Sequence, residues 1–393
     1  MGKSYSKVKL YYFLLAILLF GSATVKYLSK HYSIIKEYTL IPIFLFMLFS
    51  GILICGYLFS LFSKNNKKSF DFKYWTKNSK ALENIKNYIS EITNPENKNF
   101  IPIDNRVAVF DFDGTLFGEK SPFYIQYYLY YLKMKKDHKN LLLQEPHKTV
   151  MHKLEESFKI KSFIEPELEY KQPEAEALIF KGTTISEFME YVKTSCELPA
   201  PCFHNLKFKD MFFLPMIEII DYLLEFDFNI YIISGTGRYF IREIIKNHIN
   251  LPPDKIIGTD MNFIENSDIN NPGNLVFGGK IMKKMCLETK VEYVNREIGI
   301  KPILSFANSK SDIPLCNYVL YENKYKSQVY MVVADDIERE YGMDKKNKDG
   351  NIDTTKSDNL KKMWISNGYN IISMRDDFDT IYGKDVTKND IPF

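Results

Sequence analysis

Val107 to Phe110 (VAVF) is an uninterrupted apolar run that stops at Asp111-Phe112-Asp113-Gly114-Thr115. A strand that is apolar at every position is buried on both faces, as in a parallel sheet covered by helices. Such a strand commits the chain to an open α/β architecture, whose ligands bind beyond the carboxyl ends of the strands. Asp111 and Asp113, two positions apart, share one face if the strand direction continues. A carboxylate pair at that edge suits a metal site or a nucleophile with its acid, and one pair can serve both uses.

Two more strands run into polar turns in the same way. Asn229 to Ile233 (NIYII) ends at Ser234-Gly235-Thr236, and Pro302 to Phe306 (PILSF) ends at Ala307-Asn308-Ser309-Lys310-Ser311-Asp312. A helix led by Lys290 lies between them. Taken in order, these segments resemble the four motifs of the haloacid dehalogenase-like phosphohydrolases, over roughly Arg106 to Asp336. The resemblance implies a doubly wound parallel sheet and an aspartyl-phosphate intermediate on Asp111. Asp113 would protonate the departing alkoxide and then activate water. Ser234 would donate to a phosphoryl oxygen, and Lys290 would hold the charge, with Lys280, Lys283 and Lys284 as competitors for that position. Thr115 and Gly235 are the implied substrate-binding neighbours. The implied cofactor is magnesium (Mg2+), with Asp111, Asp113, Asn308 and Asp312 as the metal set. Asn308 and Ala307 depart from the family's commonest fourth motif, which has Gly-Asp there.

The charge balance explains why such a set is needed. Two unit charges about 3.5 Å apart at an effective dielectric near 20 repel by roughly 5 kcal/mol. An aspartate approaching an anionic phosphate therefore requires a cation on each side.

Ser234 stands 119 positions after Thr115, too far for a simple crossover. The stretch reads as aromatic-rich helices over Phe123–Met134, Val150–Phe163 and Ile185–Ser195. It resembles the inserted helical cap of the phosphoserine-phosphatase-like branch. Glu119 and Arg238 are then substrate-binding candidates, while a solvated charge at the cap entrance is an equal reading of Glu119. After the fourth motif, Gln328–Ala334 reads as a strand ending at Asp335-Asp336, and Leu360–Ser366 as a helix.

The amino-terminal end differs in character. Leu10–Val25 and Tyr38–Phe62 are apolar runs, the second uncharged and long enough to span a bilayer with some tilt. Lys3, Lys7 and Lys9 precede them, and Lys64, Lys67, Lys68 and Lys73 follow. The positive-inside rule favours a two-span hairpin over residues 10–62, with the catalytic part cytoplasmic. Cleavage of the first run as a signal peptide, at Gly21-Ser22-Ala23, is the alternative.

Residues 1–80 carry 12 lysines against Glu37 and Asp71, so the rest of the chain is acidic although the formal net charge is +3. An acidic catalytic part argues against nucleic acid as a partner. No G-x-x-x-x-G-K-[ST] occurs, so no nucleotide cofactor is expected. Cys55, Cys196, Cys202, Cys286 and Cys316 show no C-x-x-C spacing, which excludes a disulfide scaffold or zinc module. The histidines form no i, i+4 pair, and His147 and His152 read as surface residues.

The expected division is a membrane hairpin over 1–62 and a polar linker with an amphipathic helix over 63–100. The catalytic core follows over 101–118 and 206–336, a helical cap over 119–205, and an extension packing on the core over 337–393. The expected protein is a membrane-anchored, Mg2+-dependent phosphomonoesterase acting on a small phosphorylated substrate. A catalytically impaired phosphate-binding relative and a membrane-tethered glycosyltransferase using its D-x-D are the alternatives.

Overall fold

The computed structural model describes residues 70–119, 124–160, 166–266 and 274–389, with isolated positions at 30, 49 and 51. The chain divides into two compact units, residues 1–71 and 72–393. The hairpin expected over residues 10–62 lies outside the described residues. Among the described residues no helix is long and apolar enough to cross a membrane.

In the second unit, α1 (Lys80–Thr93) starts where the Ser79 hydroxyl accepts the Leu82 N–H at 3.0 Å, a side-chain cap that satisfies one orphan donor. It buries Ala81, Ile85, Tyr88, Ile89 and Ile92, one stripe at helical spacing. This is the amphipathic helix the apolar spacing predicts.

The central sheet contains β1 (Val107–Phe110), β2 (Asn229–Gly237) and β3 (Ile256–Thr259). A separate antiparallel hairpin follows, β4 (Met261–Glu265) with β5 (Leu275–Ile281). The sheet then resumes with β6 (Leu304–Ala307), β7 (Gln328–Val333) and β8 (Asn370–Ser373). The order is β8-β7-β6-β1-β2-β3, and every pairing is parallel. The chain winds from β1 outward in one direction, then returns to wind in the other. This switch leaves a crevice at the carboxyl end of β1.

Alternation along the strands sends side chains to two faces. Phe110 stacks on Phe306 with ring centroids 4.5 Å apart, and Phe306 on Tyr330 at 5.3 Å. Val107 and Val109 pack instead with Ala307, Met331 and the fully buried Trp364. The segment expected to pack on the core as an extension supplies a strand of the sheet itself, β8, whose Ile371 and Ile372 pair with Met331 and Val332. The two ends of this unit are clamped together. The Thr76 N–H donates to the Asp377 carbonyl, the Asp379 N–H to the Tyr74 carbonyl (both 2.8 Å), and the Ser79 hydroxyl to the Asp377 carboxylate (2.6 Å).

The insertion after β1 forms α2 (Ile125–Asp137), α3 (His147–Ile160), α4 (Pro166–Ile179) and α5 (Ile185–Cys196). α4 has no counterpart in the expected cap because Pro173 stands in its interior, where proline normally ends a helix. Pro173 has no N–H to give the Glu169 carbonyl, and the Lys284 ammonium donates to that carbonyl instead at 2.6 Å. The β4–β5 hairpin joins the cap, since the Phe277 N–H donates to the Thr183 carbonyl (2.9 Å) and Phe277 packs on Phe188. His147, expected at the surface, is buried against the Tyr130 hydroxyl at 2.9 Å.

Glu176 is buried under the cap, accepting amide N–H groups from Gln126 (2.5 Å) and Gln172 (3.1 Å). Burial pushes its carboxyl up to about 7. A carboxyl raised on folding leaves stability intact below its unfolded value near 4.5 and removes it as pH rises through 7. At about 1.4 kcal/mol per pH unit the loss approaches roughly 3 kcal/mol by pH 8. Glu176→Gln is expected to unfold at higher denaturant than wild type at pH 8 and at similar denaturant at pH 4. Parallel stability curves for the two proteins across this range would contradict that assignment.

Candidate active site

β1 delivers its carboxyl end to the crevice. The Asp111 N–H still donates to the Phe306 carbonyl of β6 at 2.9 Å, so the backbone of Asp111 is held by the sheet. The turn beyond requires a left-handed residue at Gly114, φ +74. A Cβ there would lie 1.8 Å from the Asn308 amide nitrogen and 2.7 Å from the Glu119 carboxylate. Only glycine satisfies both the conformation and this close approach.

Lys290, near the start of the helix Glu288–Tyr293, is almost fully buried. Its ammonium donates to Asp111 Oδ1 (2.6 Å) and Asp312 Oδ1 (2.5 Å). Burial alone would pull this lysine down, and the two carboxylates outweigh it and hold the group protonated. With both carboxylates ionised the triad would carry a net negative charge, which a low-dielectric site resists. Burial, then the neighbouring Asp312 charge, push the Asp111 carboxyl up to about 8 against the pull of Lys290.

Asp113 has a different environment. The Thr236 hydroxyl donates to its Oδ2 at 2.6 Å, and the Ser234 hydroxyl reaches the same oxygen at 3.4 Å. Oδ1 is buried with no hydrogen-bond partner. Burial pushes this carboxyl up to about 6, opposed by the Thr236 hydrogen bond. A carboxyl poised there can give and take a proton near neutral pH.

Asn308, at the end of β6, donates its amide to Glu119 Oε2 (3.1 Å), and the Tyr124 hydroxyl of the cap donates to Glu119 Oε1 (2.9 Å). Glu119 thus belongs to the cavity wall. Asp111, Asp113, Ser234, Gly235, Lys290 and Asn308 line the same cavity as Glu119. Three predicted residues have other roles. Thr115 is fully buried in the turn, outside the cavity lining, with no hydrogen-bond partner for its hydroxyl. Arg238 gives two donors to Asp260 (both 2.8 Å), two to Glu297 (both 2.9 Å) and one to the Ile256 carbonyl (3.0 Å). With all five N–H groups committed, it binds the core and no substrate. Asp312 accepts Lys290 on Oδ1, and the Ser309 N–H (3.2 Å) and hydroxyl (2.9 Å) on Oδ2. Asp312 thus positions Lys290, and it does not line the cavity. Asp335 is likewise structural, fully buried between Ser373 and Lys361.

The remaining donors fit a hard divalent cation. Among the described residues no three His, Cys, Asp or Glu side chains cluster as a metal cage. Mg2+ does not need one, since it is usually held by one or two carboxylates plus water and phosphate oxygens. Asp111, the Asn308 amide oxygen and the Asp113 carbonyl offer that set, and a cation there would favour the ionised form of Asp111 that burial opposes. Thr236 joins the functional residues through Asp113. Its signal was its two-residue spacing from Ser234. Tyr124, Gln126 and Lys284 also line the cavity; they come from distant segments with no local motif.

A family model for haloacid dehalogenase-like hydrolases matches residues 108–316. No curated protein matches the chain. Among solved structures, a protein of unknown function from Bordetella pertussis is similar at 13% identity over 68% of this chain and 98% of that one, with a TM-score of 0.43. A functionally unknown protein from Anaerococcus prevotii is 13% identical over 78% and 94%, with a TM-score of 0.46. A phosphoserine phosphohydrolase-like protein from Francisella tularensis is 17% identical over 58% and 87%, with a TM-score of 0.32.

Proposed function

Because this chain belongs to the haloacid dehalogenase-like hydrolases, we propose that it is a Mg2+-dependent phosphatase acting on a small phosphomonoester. The observation that carries the proposal is the buried Lys290 ammonium bridging Asp111 and Asp312 beside Asp113. Asp111 Oδ1 attacks phosphorus, and the phosphoryl group passes to that oxygen as the ester bond breaks. The Asp113 carboxyl gives its proton to the departing alkoxide. It then takes a proton from the water that cleaves the aspartyl-phosphate. Lys290 holds Asp111 in place and offsets the phosphoryl charge, and Thr236 fixes the carboxyl of Asp113. Asp111, Asn308 and the Asp113 carbonyl would hold Mg2+, which supplies positive charge against the phosphoryl oxygens. Family membership removes the glycosyltransferase alternative.

Hydrolysis of p-nitrophenyl phosphate with Mg2+ is the direct test. No turnover at any Mg2+ concentration would favour the phosphate-binding relative instead. Asn308 supplies a neutral oxygen, so Asn308→Asp is expected to lower the Mg2+ concentration for half-maximal rate by about tenfold, a difference of roughly 1.4 kcal/mol. Asn308→Ala is expected to raise it. An unchanged Mg2+ dependence in Asn308→Ala removes Asn308 from the metal set.

We further propose, from the apolar runs within residues 10–62 and their flanking lysines, a membrane anchor with the catalytic unit on the cytoplasmic side. The full chain is expected to sediment with membranes and to resist carbonate extraction. Digestion of the catalytic unit by protease added outside right-side-out vesicles would reverse the orientation.

A further inference from the structure

Lys284 is a second cation at the cavity, and the chemistry above does not use it. Its side chain is 14% exposed. Its ammonium donates to the Glu169 carbonyl left without a helical donor by Pro173, and its nearest carboxylate is Glu169 Oε1 at 4.0 Å. An ammonium has three N–H donors, so this lysine has capacity beyond that one carbonyl. The Tyr170 ring also faces the ammonium at 6.0 Å, yet a largely buried charge so partnered is expensive to keep unless something else meets it. Burial accordingly pulls Lys284 below the usual lysine range.

Its position shows which part of a substrate it meets. The Lys284 stem passes over the carboxyl end of β2, where a Cβ on Gly235 would lie 3.7 Å from its Cε. The carboxylates acting on it are Glu169, Asp113 and Glu176. Lys284 lines the reaction cavity together with Asp113, the proton donor to the leaving group. Pro173, Lys284 and Cys286 also line a larger neighbouring cavity between α4 and the segment following β5. The lysine thus marks the seam through which a leaving group extends from the reaction centre.

Resting on the phosphatase reading, we propose that Lys284 selects phosphomonoesters whose leaving group carries a second anion, a carboxylate or another phosphate. Lys290 gives two of its three donors to Asp111 and Asp312 and its charge to the phosphoryl group, so Lys284 is the cavity lysine left to meet a second anion.

The test compares wild type with Lys284→Gln, both with Mg2+. The substrates are p-nitrophenyl phosphate and two matched pairs. One pair is 3-phosphoglycerate against glycerol 3-phosphate, the other propane-1,3-diyl bisphosphate against 3-hydroxypropyl phosphate. Wild type is expected to prefer the doubly anionic member of at least one pair by about 10- to 100-fold in kcat/KM, the range of a charge-assisted hydrogen bond. The pair that shows the preference identifies the anion. Lys284→Gln is expected to erase the preference, chiefly through KM, and Lys284→Arg to retain part of it. The ratio within a pair cancels any loss caused by freeing the Glu169 carbonyl. Wild type inactive on every phosphate overturns the phosphatase reading. Turnover of p-nitrophenyl phosphate with no preference in either pair, or a preference that survives in Lys284→Gln, overturns this inference alone.

Discussion

Asp111→Asn is expected to reduce turnover by at least about 10⁴-fold while the protein stays folded. The amide keeps the shape of the carboxylate and still offers Lys290 an oxygen to bond, but it cannot form the acyl phosphate. Stability is expected to hold or rise. Burial and the Asp312 charge already penalise a carboxylate at this position, and neutralising it removes a like charge from a buried triad. Intact mass after brief reaction should show a phosphoryl adduct in wild type and none in Asp111→Asn. Vigorous turnover by purified Asp111→Asn, free of contaminating enzyme, would end the covalent mechanism.

Lys290→Met carries the second large expectation, and here activity and stability fall together. It leaves Asp111 and Asp312 buried without their shared ammonium, a break that typically costs about 3–5 kcal/mol. Loss of a fixed positive charge at the phosphoryl group adds about 10²- to 10³-fold in rate. The double variant Lys290→Met/Asp312→Asn separates the two effects. Removing the second carboxylate should recover much of the melting temperature and little of the turnover. Recovery of turnover along with stability would reduce Lys290 to a structural role.

The parts of this site legible in the sequence were those written locally. Asp111, Asp113 and Asn308 follow apolar strands and were located by strand ends, whereas Ser234, read as the start of a turn, lies inside β2, which runs on to Gly237. Lysine identity was harder, because Lys280, Lys283, Lys284 and Lys290 crowd one segment. Only the fold shows Lys283 pairing with Glu292, while Lys284 turns to the cap and Lys290 to Asp111. Arg238 misled for the opposite reason. It follows the second motif directly, yet its partners Asp260 and Glu297 lie 22 and 59 residues away. α4 was hidden by Pro173, whose missing hydrogen bond is repaired by a lysine more than a hundred residues downstream.

The clamp between the two ends of the catalytic unit bears on how the chain is made. Ser79 and Asp377 are 298 residues apart, and ribosomes add roughly 5–20 residues per second. From synthesis of Ser79, about 15–60 s pass before its partner exists. During that interval α1 cannot dock permanently, and β7 waits uncovered on the side that β8 will occupy. A nascent chain is therefore an open sheet edge with the apolar stripe of an amphipathic helix beside it, the kind of surface that chaperones bind and that aggregates when they are scarce. Slowing translation late in the message should then lower the yield of folded protein more than slowing it early.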